Sequence, residues 1–164
     1  MAKPTTYATP ICVILSIIAL IGILVGLKLT NPLWIAFLLL PTVGYEIYRT
    51  EGESTRWSSI LMSVVLILEI IFILFKINYD LAGYLQTSSA YVGGQFVPIG
   101  DIKIFGPALM AVLALILFVR TNGIYTKWLS VIIIISAFAL IFTLSQSTFG
   151  DLLRQTVQQI FYYI

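Results

Sequence analysis

The chain reads as an all-α, polytopic membrane helical bundle: five transmembrane helices plus a C-terminal amphipathic helix, in a single membrane domain. Three observations carry that reading. Apolar types make up 60% of the 164 residues and charged residues 10%, against about 45–50% and about 25% in soluble domains. Mean hydropathy is +1.04. The apolar residues fall in continuous runs near the ~17–25 residues that cross a hydrocarbon core, without the period-two alternation of membrane strands.

The first span is expected at residues 10–27. One lysine precedes it, and Lys28 follows an uncharged stretch, which suits a retained span better than a cleaved signal peptide. Thr30-Asn31-Pro32 stops that helix and starts the next, with Pro32 in a first-turn position that tolerates proline. The second span covers 32–48 and is interrupted by Pro41. Gly52 is expected to end it in a left-handed conformation, and Thr55 to cap the third span, 57–75. The connection 77–100 is long, uncharged apart from Asp80, and rich in Gly, Ser and Tyr. Spans at 104–119 and 128–144 follow, joined through Gly123 and Thr126. In the tail 149–164, helical spacing gathers Leu152, Leu153, Val157, Ile160, Phe161 and Ile164 on one face. Such a helix lies on the membrane surface or docks on a partner subunit.

The two short joints resemble each other. Arg49-Thr50-Glu51-Gly52-Glu53-Ser54-Thr55-Arg56-Trp57 aligns with Arg120-Thr121-Asn122-Gly123-Ile124-Tyr125-Thr126-Lys127-Trp128 at an offset of 71 residues, with five identities. Duplicated helical hairpins, 32–75 and 103–146, explain this. Convergent joint chemistry explains it too, because Gly and Thr bound helices while Arg49, Arg56, Trp57, Arg120, Lys127 and Trp128 anchor at the headgroups. Lys3, Arg49, Arg56, Arg120 and Lys127 fall on one side; Lys28, Lys76, Lys103 and Arg154 fall on the other. That balance places the N-terminus and both short joints on the cytoplasmic side of a multi-pass protein.

The chain has no histidine and one cysteine, Cys12. The usual ligand sets for haem, copper, zinc or iron–sulfur clusters are therefore missing, as are Ser-His-Asp and Cys-His arrangements. We expect no cofactor, no metal and no catalytic residue. A formal charge of +2 without a long basic run excludes a nucleic-acid partner.

Glu69 is the most informative residue. It stands in an otherwise uncharged run, 57–75, near the middle of the third span. A carboxylate at that depth needs a partner, a proton or a water path. Lys76 lies about 10.5 Å further along the helix axis and forms no direct pair. Glu69 either binds a cation or proton, or bonds Ser136 or Thr143 of a neighbouring helix. Pro41, which frees the carbonyl of Phe37, lies within about 6 Å of the same depth, so the two are a candidate polar site. Glu46 and Arg49 read as a pair near a helix end, reaching for headgroups.

Five spans in this length is similar to the small membrane subunits of respiratory complex I and related hydrogenase complexes. Their Tyr-Val-Gly segment lies inside a span, whereas Tyr91-Val92-Gly93 lies in the long connection here, so no family is assigned. The expected function is a non-catalytic accessory subunit of a larger membrane complex, with the lipid bilayer and other membrane subunits as partners. The alternative is a small transporter or channel, built by self-association, with Glu69 as its proton or cation site.

Overall fold

The computed structural model describes residues 7–50, 52–76, 91–92, 95–96 and 102–144. They form helices α1 (Ala8–Leu29), α2 (Pro32–Arg49), α3 (Glu53–Leu74), α4 (Ile102–Arg120) and α5 (Ile124–Leu144). A two-residue antiparallel ladder, β1 (Tyr91–Val92) with β2 (Gln95–Phe96), lies between α3 and α4 in the chain. The tail 149–164, Asp80, Asp101, Lys3 and Arg154 lie outside the described residues.

Local chemistry sets the helix ends. Thr30 closes α1 in the left-handed region at φ 50°, and the Asn31 N–H bonds the Gly26 carbonyl at 3.0 Å. The Asn31 side chain then caps α2 by accepting from the Leu33 N–H at 3.1 Å, with Pro32 in the first turn. At the other two joints the expected boundaries move. α2 ends on an extended Thr50, and Gly52, at φ 109°, opens α3 instead of closing α2. Thr55 and Thr126 do not cap. They sit inside the first turns and donate their hydroxyls to the Gly52 and Gly123 carbonyls, at 3.1 and 2.7 Å. Those carbonyls already begin the helical ladders by accepting from the Arg56 and Lys127 N–H groups.

Three helices are long and apolar enough to cross a membrane: Ala8–Leu29, Thr55–Leu74 and Ile124–Leu144. The expected five are thus three by this measure. Ile104–Arg120 is apolar but shorter, and α2 carries Glu46 and Arg49 within 18 residues. The outward surface is apolar as well: Ile14, Leu24, Ile67, Val112, Ile135 and Phe138 are all exposed. Helices apolar on every side belong in a membrane or a large core.

α2, α3, α4 and α5 form a closed ring, each packing on the next and α5 returning to α2. α1 lies outside the ring, on α2 and α5. Gly22 and Gly26, one turn apart, let α1 approach α2 closely. A Cβ on Gly22 would meet Leu38 Cβ at 2.8 Å, and one on Gly26 would run into Ile35. Small residues at this spacing are a common device of membrane helix packing. Leu39 and Val43 of α2, Met62 and Leu66 of α3, Met110, Leu113 and Leu117 of α4, and Ile133 and Leu140 of α5 fill the ring's interior.

Candidate functional site

Among the described residues two carboxylates are buried, towards opposite ends of the bundle. Glu69 is 1% exposed. It lies about 24 Å from the start of α3 and about 7.5 Å from its end at Leu74, closer to the helix end than the mid-span position expected. There it faces the beginning of α4. A Cβ built on Gly106 would run into Glu69 Oε2, so glycine is what admits the carboxylate. The next residue, Pro107, is buried and removes one i→i−4 hydrogen bond from the first turns of α4. Gly106-Pro107 is a helix-weakening dipeptide, a local signal in the sequence that marks this place.

The structure does not gather the other residues expected near Glu69. Pro41 is exposed on the outward side of α2. Ser136 donates to the Ile132 carbonyl at 2.9 Å, and Thr143 to the Ala139 carbonyl at 3.0 Å, both within α5. α3 packs on α2 and α4, which leaves those hydroxyls to satisfy their own helix.

Glu46 corrects a second expectation. It does not reach for headgroups but is fully buried, one turn from the end of α2. The Thr50 hydroxyl lies 2.8 Å from the Glu46 carbonyl oxygen and 3.3 Å from Oε1, and the Ser59 hydroxyl of α3 lies 3.1 Å from Thr50 Oγ1. Glu46 Oε2 and Thr42 Oγ1 are buried without a hydrogen-bond partner. The Arg49 guanidinium lies over the Tyr125 ring, 4.8 Å from its centroid.

That contact places both short joints at one end of the bundle. The start of α1 joins them there: Thr9 Oγ1 is 3.0 Å from the Tyr125 hydroxyl, and Trp128 Nε1 donates to Ser16 Oγ at 3.0 Å. Trp57 is exposed, as are Arg56 and Arg120. Lys127 Nζ lies 5.7 Å from the Phe118 ring centroid. Cys12 is buried beside Leu15 and Leu129.

Among the described residues no group of three His, Cys, Asp or Glu side chains could hold a metal ion. The two buried carboxylates differ in surround: Glu46 has hydroxyl neighbours in Thr50 and, through it, Ser59, while Glu69 is seated against Gly106. Compared with protein families, with curated proteins and with solved structures, the chain has no match.

Proposed function

We propose that this chain is a five-span integral membrane protein, N-terminus on the cytoplasmic side, that acts as a non-catalytic subunit of a larger membrane assembly. The observation that carries the proposal is the apolar filling between the two carboxylates. Ser59, which joins the Glu46 cluster, and Glu69 are ten residues apart on α3, about 15 Å along the axis. Met62 and Leu66 of α3, with Met110, Leu117, Ile133 and Leu140 around them, close that interval and are each fully buried. A route for a solute needs polar lining, and among the described residues this interval offers little: Ser136 is buried there, but its hydroxyl is turned to the Ile132 carbonyl of its own helix. α2, with Glu46 and Arg49 within 18 residues, and α4, near the short end of the span range, suit a bundle flanked by other protein.

The test is native mass spectrometry after gentle extraction from the source membrane. Recovery with other chains in fixed stoichiometry supports the proposal. Recovery alone, with full activity in isolation, contradicts it.

A second reading has its own support: a small oligomeric transporter in which Glu69 takes up a proton or cation. What favours it is the buried carboxylate seated against Gly106-Pro107, because an ionisable group at such a place is costly to keep without a use. Liposome flux that Glu69→Gln abolishes, with the fold preserved, would establish this reading; unchanged flux would remove Glu69 as the coupling group.

A further inference from the structure

The polar cluster at the short-joint end of α2 has no role in either reading. We infer that Thr42, Glu46 and Thr50 of α2, with Ser59 of α3, form a binding site for a monovalent metal cation of sodium's class. Glu46 Oε2 and Thr42 Oγ1 are both buried and both lack a hydrogen-bond partner. Spaced i and i+4, they stand on one face of α2 with Cβ atoms roughly 5–6 Å apart. Two unpaired oxygens at neighbouring positions call for a shared partner, since buried polar groups are almost always satisfied.

The chemistry selects the partner. Every ligating atom is an oxygen, which suits a hard cation. The Thr50 hydroxyl hydrogen serves the Glu46 carbonyl at 2.8 Å, so Oε1, 3.3 Å away, keeps acceptor capacity. One carboxylate balances one positive charge, whereas a divalent ion would leave excess charge in an apolar surround. Arg49, the nearest basic residue in the chain, is stacked on Tyr125 of α5. Glu46 lies about 4.5 Å along the axis from the end of α2, so a cation enters from the short-joint side. The position matching Glu46 in the second hairpin is Leu117, which offers no carboxylate.

The full chain in detergent micelles provides the test. Its thermal unfolding is followed as sodium chloride replaces choline chloride at constant ionic strength. The expected result is a saturable rise in Tm with sodium. Glu46→Gln abolishes the rise, and Thr42→Val, which removes one oxygen while keeping the side-chain shape, weakens the apparent sodium affinity at least ~10-fold. A Tm indifferent to sodium overturns the proposal and leaves the cluster holding a water or a proton. A sodium response retained in both variants also overturns it. Should Glu46→Gln fail to fold, Thr42→Val decides alone.

Discussion

The two hairpins, α2–α3 and α4–α5, share a joint and differ in what it holds. At each joint a buried threonine, Thr50 or Thr121, turns its hydroxyl back to the carbonyl four residues earlier, at 2.8 and 2.6 Å. A glycine carbonyl opens the next helix, a threonine hydroxyl donates to it, and a serine, Ser59 or Ser130, donates to that threonine's carbonyl. All these pairs keep the offset of 71. The carboxylates do not repeat. Glu46 corresponds to Leu117 and Glu69 to Leu140, and all four side chains are buried. One set of hydrogen bonds therefore builds both hairpins without any carboxylate. We propose that the frame arose by duplication and that the acids of the first hairpin are additions to a frame that stands without them.

Substitutions that exchange the two hairpins' residues test this comparison. The largest effect is expected from Leu117→Glu, which puts a carboxylate at the matching site of the second hairpin, where the buried Leu113 stands in place of Thr42. The cost is about 3–5 kcal/mol, the range found when a buried charge is left uncompensated, read as lost folded protein in thermal or denaturant unfolding. Next comes Gly106→Ala. Its Cβ collides with Glu69, and overpacking of this kind costs about 1–3 kcal/mol. The matching position, Ile35 in α2, already carries a large buried side chain, so of these two matching positions only the one facing Glu69 demands glycine.

A smaller contrast separates the joint threonines. Thr50→Val loses the back-bond to the Glu46 carbonyl and takes a polar neighbour from both Glu46 Oε1 and Ser59 Oγ, and should cost about 1–3 kcal/mol. Thr121→Val loses a single back-bond to Leu117, about 0.5–1.5 kcal/mol. The smallest contrast is between the two glycines. Gly52 holds φ 109° with ψ 136°, a region nearly confined to glycine, so Gly52→Ala should cost about 1–3 kcal/mol. Gly123→Ala should cost less, because among the described glycines only Gly52 has a positive φ. Equal losses at both would show that crowding by the threonine hydroxyl, 2.9 Å from either Cβ position, outweighs backbone strain.

The frame was legible in the sequence because it is local. Apolar runs mark the helices, and Gly52, Gly123, Thr30-Asn31-Pro32 and the paired threonines mark the joints within a few residues. The sites were less legible because they depend on contacts between distant parts of the chain. Glu46, three residues before Arg49 near a helix end, has the signature of a side chain reaching for headgroups; only the packing of α1, α3 and α5 around α2 buries it. Glu69 stood out as a charge in an apolar run, but its neighbour Gly106 lies beyond the long connection 77–100, and nothing local links them. Gly22 and Gly26 carried a readable close-packing signal whose target, α2, only the fold reveals.

The most direct test of the frame-plus-additions account is the stability of Glu46→Leu, measured in sodium-free micelles so that no bound cation contributes. The substitution copies Leu117, and Thr50 keeps its bond to the backbone carbonyl, as Thr121 does. The account predicts a folded protein at least as stable as the parent, since replacing a buried, incompletely bonded carboxylate by a well-packed apolar side chain is often neutral or stabilising. A drop of several degrees in Tm, or loss of the helical fold, would contradict it and make Glu46 part of the frame itself.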